Sequence, residues 1–123
     1  MPESARRPVR SEVTGPSDAP VEEADVADVA AALPADADAV LVDVRENFEW
    51  RMGHAEGARH IPLKQLPDHL DELPRNAPVY LICASGNRSA NAARYLKQAG
   101  FERPINVRGG TVAWQRAGLP IAR

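Results

Sequence analysis

The chain has few of the residues that most often announce a function. Its 123 residues include a single cysteine, so no internal disulfide can form and nothing argues for export. A free thiol survives best in a reducing compartment, and the expected location is the cytoplasm. Neither sign of charge is in great excess. A net charge of −2 gives no footprint of nucleic acid or of an anionic membrane as partner. No run approaches the roughly 18 apolar residues of a membrane-spanning helix. The N-terminal arginines are followed by no apolar stretch, so they do not read as a secretory signal. What is present is an ordinary globular balance, 44% hydrophobic and 26% charged, enough for one domain with a real core. Residues 1–19 mix Pro, Ser, Gly, Arg and Glu without periodicity and read as a disordered tail. The folded domain is expected over 20–123.

Within that domain Val26, Val29 and Leu33 fall on one helical stripe, with Glu22 and Glu23 expected in the first turn and Pro34 as the stop. Ala39 to Val44, Val79 to Ile82 and Ile105 to Val107 are short apolar runs rich in β-branched residues. They read as strands buried on both faces, as in a parallel sheet. His60-Ile61 is a candidate minor strand. Helices are expected over Glu46–Met52, over Leu63–Leu73 with Pro67 opening the regular part, over Ser89–Ala99 and over Thr111–Ala117. The alternation specifies an α/β fold, a central parallel sheet flanked by helices on both faces. Right-handed crossovers then gather the strand-to-helix loops at one edge, where ligands bind.

One of those loops is Cys83-Ala84-Ser85-Gly86-Asn87-Arg88-Ser89. A lone cysteine ending an apolar strand is by default a small buried hydrophobe. The six residues after Cys83 reverse that default. The loop delivers Cys83 to a helix N-terminus, where unpaired N–H groups and the helix dipole favour anions and thiolate. Ala84, Ser85 and Gly86 leave the amides open, and Gly86 permits the positive φ of a tight cradle. Arg88 is expected to close the ring with a fork suited to an oxyanion such as thiosulfate. Cys83 and Arg88 enclose four residues; cysteine-dependent phosphatases and related arsenate reductases enclose one more. The narrower loop suits the outer sulfur of a persulfide better than a phosphoryl group. A cysteine–histidine protease is a poor fit, since nothing pairs His54, His60 or His69 with Cys83.

Four segments together resemble a rhodanese domain. They are Leu41-Val42-Asp43-Val44-Arg45-Glu46, then Gly53 to Pro62, then Cys83 to Ser89, and last Gly109-Gly110-Thr111-Val112-Ala113-Trp114 with Gly118-Leu119-Pro120 beyond it. The resemblance spans about Val21 to Ile121. It implies a sulfurtransferase in which Cys83 takes the sulfane sulfur of thiosulfate or a similar donor and passes it to cyanide or a thiol. The loop amides from Ala84 to Arg88 would hold the persulfide's charge. It implies no metal and no organic cofactor. Many family members carry a basic residue where this chain has Ala84. That removes one positive charge from the rim and leaves a protein persulfide open as the donor. A sulfur-relay or interaction module fed by a protein partner is the second reading, and a phosphatase or arsenate reductase the third.

Asp43 interrupts a buried strand near its catalytic end, and a buried carboxylate needs partners. It reads either as supporting the site, paired with Arg45 or bonded to loop amides, or as a turn residue. Arg45 reads as facing the rim or, preferably, as bridging to Glu46 or Glu49. His54 and His60 read as loop hydrogen-bonders, Trp114 as a core anchor, and Phe48 and Trp50 as core in preference to pocket mouth. Gly109-Gly110 reads as a tight turn beside the cradle, and no zinc site is indicated.

Overall fold

The computed structural model describes residues 20–123; the expected tail lies outside the described residues. In chain order the elements are β1 (Glu22–Asp25), α1 (Val26–Ala35), β2 (Val40–Asp43), α2 (Asn47–Arg51), β3 (His54–Ala55) and β4 (Arg59–His60). A 3-10 segment (Leu63–Glu72) comes next, then β5 (Pro78–Ile82), α3 (Asn87–Gln98), β6 (Arg103–Arg108), α4 (Gly110–Arg116) and β7 (Ile121–Ala122). Five strands form one parallel sheet in the order β1-β6-β5-β2-β4. The apolar runs form its middle. Successive side chains of a strand face opposite ways, so a strand covered on both sides is apolar throughout. Leu41, Tyr80, Ile82, Ile105 and Val107 pack with Val26, Val29 and Trp114 from α1 and α4. Val42, Val44, Val79 and Leu81 pack on the other face with Leu66, Ala92, Ala93 and Leu96 from the 3-10 segment and α3. The expected architecture is therefore the one observed.

Three local expectations are corrected. Glu22 and Glu23 belong to β1, not to the first turn of α1. β1 is a polar edge strand whose register sets Glu22 opposite Ile105 and Glu23 opposite Asn106 on β6. Glu22 meets Arg103 in a two-point pair at 2.6 and 3.2 Å. The strand carries no apolar alternation, so only the partner strand specifies it. Pro34 does not stop α1; it sits in the last turn, and Asp36 N–H closes the helix on Ala32 O at 3.1 Å. The leucine-rich stretch is 3-10, with a break at His69 (φ −119°, ψ 15°). A 3-10 helix repeats every three residues, which suits Leu63 to Leu66 and Leu70 to Leu73, and the four-residue step between Leu66 and Leu70 spans the break. The two-stranded antiparallel pair of β3 and β7 carried no sequence signal. Among the described residues no helix is long and apolar enough to cross a membrane.

Candidate functional site: a cysteine loop at the sheet edge

β5 is the central strand, and the residue after it is Cys83, 1% exposed. The loop it opens is held from behind by the start of α4. Thr111 donates its backbone N–H (2.8 Å) and its hydroxyl (3.1 Å) to the carbonyl of Cys83, and Val112 N–H donates to the carbonyl of Ala84 at 3.1 Å. Gly110 makes this contact possible. A Cβ there would stand 2.4 Å from the Cys83 carbonyl oxygen and 2.6 Å from Ala84 C and O, so no side chain fits. The expected Gly109-Gly110 turn is the seat of the loop.

Gly86 caps α3 with φ +112°, and Asn87 is the helix's first residue. This left-handed turn, which glycine adopts freely, folds the loop back over the cysteine. Gly86 N–H donates to Cys83 Sγ at 3.1 Å, and Ser89 Oγ lies 3.3 Å from the same sulfur. Burial pushes the Cys83 thiol up. Hydrogen bonds from the Ser89 hydroxyl, and then from the N–H groups of Ser89, Gly86 and Ser85, outweigh it, so its pKa lies below the ordinary 9.0. These donors favour the charged form directly. The expected donors ran from Ala84 to Arg88; the N–H groups that act on the sulfur are those of Ser85, Gly86 and Ser89.

Arg88 has a partner that the sequence did not reveal. Its two terminal nitrogens donate to the two carboxylate oxygens of Glu49 at 2.8 and 2.9 Å. A planar guanidinium and a carboxylate match at two points. Glu49 is presented by the capping box of α2, in which its side chain also accepts Glu46 N–H at 3.0 Å. The bond to Arg88 holds the Glu49 carboxyl at about 2, and the same bond raises Arg88. The Cys83 sulfur adds a smaller contribution at Arg88, so the thiol is coupled to this pair.

Asp43 and Arg45 form a pair of their own. Asp43, fully buried, accepts from Arg45 N–H (2.9 Å), from Nε at 3.0 Å to both oxygens and from Nη2 (2.9 Å). Arg45 Nη2 also donates to the carbonyl of Gly53 at 2.8 Å. Arg45 thus pairs with neither Glu46 nor Glu49; a carboxylate two residues away with no access to water takes it. The pair fixes the β2–α2 loop. The rings around α2 do the same. Trp50 is stacked on His54 (3.4 Å between centroids) and on His60 (4.7 Å). His54 Nδ1 meets Trp50 O at 2.9 Å, and His60 Nε2 meets Arg45 O at 2.8 Å. Both histidines are loop hydrogen-bonders, as read from the sequence. Trp114 is a buried anchor whose indole N–H donates to Pro120 O at 2.7 Å. Phe48, expected in the core, is 62% exposed.

An open cleft of about 270 Å³ lies beside the loop, lined by Arg45, Glu49, Met52, Gly53, Ala84, Thr111, Val112 and Gln115. Cys83 does not line it; its neighbour Ala84 does. Sequence reasoning named Glu49 only as a partner for Arg45, and it missed the roles of Thr111 and Asn106. Asn106, in β6 and 2% exposed, accepts from Ser89 Oγ at 2.5 Å and donates through Nδ2 to Gly86 O (3.2 Å) and to Glu23 (2.9 Å). It ties the loop to the sheet. Its signal was available: a polar residue inside an apolar run, like Asp43. Among the described residues no group of three or more His, Cys, Asp and Glu is placed to hold a metal ion.

Comparison with known proteins agrees with the geometry. The family model of the rhodanese-like domain matches residues 25–117. A sulfurtransferase of Allochromatium vinosum is 42% identical over 84 residues, 68% of this chain and 78% of that protein. A thiosulfate sulfurtransferase of Actinobacillus pleuropneumoniae is 37% identical over 83 residues, 68% of this chain and 77% of its own. The crystal structure of a rhodanese-like domain protein from Staphylococcus aureus, 33% identical, superposes with a TM-score of 0.73 over 84% of this chain and all of that one.

Proposed function

The chain belongs to the rhodanese-like family, and we propose that it is a sulfurtransferase carrying a sulfane sulfur from thiosulfate or a persulfide to cyanide or a thiol as a persulfide on Cys83. The observation that carries this reading is the cradle at the N-terminus of α3, where Gly86 N–H and the Ser89 hydroxyl converge on a thiol whose pKa they lower. The Cys83 thiolate attacks the outer sulfur of thiosulfate. A Cys83 S–S bond forms, the donor's S–S bond breaks, and sulfite leaves with the bonding pair. In the second step cyanide or a thiolate attacks the outer sulfur of the persulfide, and the Cys83 thiolate is the leaving group. Two displacements on one nucleophile give ping-pong kinetics. The N–H groups of Ser85, Gly86 and Ser89 are already oriented where negative charge stands in both steps, as in an oxyanion hole. Ala84 lines the mouth of the site, Asn87 starts the helix, and Asp43 with Arg45 supports the neighbouring loop. The protein itself carries the sulfur, so no metal or organic cofactor is required. A free nucleophilic thiol suits the cytoplasm.

Treatment with thiosulfate, removal of excess donor and intact-mass measurement test the reading. A single added sulfur, absent from Cys83→Ala, is expected; an unchanged mass, or an adduct that survives the substitution, refutes it. The 1% exposure of Cys83 favours a second reading, a relay module that accepts sulfur from a protein persulfide. Rapid turnover of thiosulfate and cyanide would count against that version.

A further inference from the structure

The cleft beside the loop offers no unpaired cation to an incoming anion. Ala84 stands at its edge without charge, and Arg45, which lines it, is neutralised by Asp43 through bonds of 2.9 to 3.0 Å. Arg88 is the cation coupled to Cys83, and both ends of its fork are taken by Glu49 at 2.8 and 2.9 Å. Glu49 itself lines the cleft. A dianion such as thiosulfate therefore finds the two terminal nitrogens of Arg88, the two-point match for its oxygens, already bound to Glu49.

We propose that Glu49 is a specificity-determining residue which, by occupying Arg88, selects alkyl persulfides over inorganic dianions as the sulfur donor. The inference rests on the sulfur-transfer reading above and names its donor. The favoured reaction is attack of the Cys83 thiolate on the outer sulfur of a neutral R–S–SH. The new S–S bond forms to Cys83, the S–S bond of the donor breaks, and R–S⁻ leaves; the proton stays on the transferred sulfur until solvent takes it. Neither reactant carries two charges, so the reaction needs no free two-point cation. The lining supplies apolar surface for R: Met52 is 72% exposed and Val112 43% exposed. The capping box further supports a specific role for position 49. Glu49 is locked from one side by Glu46 N–H and from the other by Arg88, so it stays on the Arg88 fork.

The test compares the intact protein with Glu49→Gln, which keeps an oxygen for the Glu46 N–H but removes the charge. Two probes are used in single turnover, thiosulfate and the hydropersulfide of N-acetylcysteine methyl ester, and sulfur on Cys83 is tracked by intact mass. The unaltered protein is expected to load faster from the alkyl persulfide. Glu49→Gln is expected to load from thiosulfate about tenfold faster, the effect of one guanidinium charge set free to face a dianion at the protein surface, with alkyl persulfide loading changed less than about twofold on the same scale. Glu49→Ala is run in parallel, with a urea midpoint for each variant, so that a poorly folded Gln variant does not decide the matter. If thiosulfate loading is unchanged or slower in folded variants, or if the unaltered protein prefers thiosulfate, the inference is overturned while the sulfur-transfer reading stands. If neither probe loads Cys83 in any protein, the sulfur-transfer reading falls and the inference with it.

Discussion

Gly110 is where the loop's seat can be weighed against backbone conformation alone. Its φ is +58°, and an added Cβ would sit 2.4 to 2.6 Å from backbone atoms of Cys83 and Ala84. Gly57 provides the control, since its φ of +88° is also left-handed and nothing lies within 4 Å of its Cβ position. Ala at Gly57 meets only the conformational cost, about 1–2 kcal/mol, reduced by roughly 0.4–1 kcal/mol because Ala also restricts the unfolded chain. Ala at Gly110 meets the same balance and a clash with backbone. Relief requires α4 to part from the loop, which loosens Thr111 N–H to Cys83 O and Val112 N–H to Ala84 O, at 2.8 and 3.1 Å. Each such bond contributes about 0.5–1.5 kcal/mol net, so Gly110→Ala should cost about 1–3 kcal/mol more than Gly57→Ala. Urea unfolding measures both, since a change in midpoint at constant slope is a change in stability. Iodoacetamide alkylation of Cys83 supplies the functional readout, and only Gly110→Ala should alter it. If the two variants agree within about 0.5 kcal/mol, close to the ordinary surface scatter, or if Gly110→Ala leaves alkylation unchanged, the seat is not what shapes the loop.

Ser89→Ala removes the hydroxyl that does most to favour the Cys83 anion. The pH at which alkylation reaches half its maximum should rise, with slower alkylation at neutral pH and convergence with the unaltered protein in alkali; an unmoved profile refutes the role. Asp43→Asn leaves Arg45, 6% exposed, buried without its carboxylate, and should lower stability by about 3–5 kcal/mol in urea unfolding. Glu49 has a folded-state pKa of about 2 against an ordinary 4.5. A lowered pKa stabilises the fold above 4.5 and loses that contribution as pH falls toward 2. The urea midpoint should therefore fall more steeply over that window in the unaltered protein than in Glu49→Gln; parallel curves would refute the pairing in solution.

The sheet was legible because burial on both faces leaves its mark in composition. Ala39–Val44 and Val79–Ile82 are apolar but for Asp43, and they became β2 and β5 within a residue or two. β1 was misplaced because an edge strand is specified by its neighbour: Glu22 and Glu23 are strand residues because Arg103, Asn106 and Arg108 stand opposite or beside them. The same distinction divides the site. Cys83, Gly86 and Ser89 were readable because the loop and its helix are contiguous in sequence. The partner of Arg88 was not, since Glu49 lies 39 residues away and the chain between offers no pattern that would pair them. An arginine–carboxylate match is decided by which carboxylate the fold brings within reach. For Arg45 that was Asp43, and for Arg88 it was Glu49.

Ser89 has one proton and two acceptors. Its oxygen is 2.5 Å from Asn106 Oδ1 and 3.3 Å from Cys83 Sγ, and a hydroxyl donates once while accepting through its lone pairs. When Cys83 is a neutral thiol, the S–H can donate to Ser89 Oγ while Ser89 donates to Asn106. When Cys83 is a thiolate, the serine proton has reason to turn to the sulfur, because hydrogen bonds to a charged acceptor are the stronger ones. Asn106 then loses that donor but stays fixed by Gly86 and Glu23 through Nδ2. The amide is anchored at one end and indifferent at the other, so it holds Ser89 in place for either state without fixing where the proton lies. Asn106→Leu separates the two duties. It keeps β6 apolar and frees the serine proton for the sulfur. Alkylation should then lose its dependence on the toggle while Gly86 and the α3 cap lose their tie to the sheet. A faster Cys83 in a less stable protein is the expected pair of results, and a slower Cys83 at unchanged stability would refute the account.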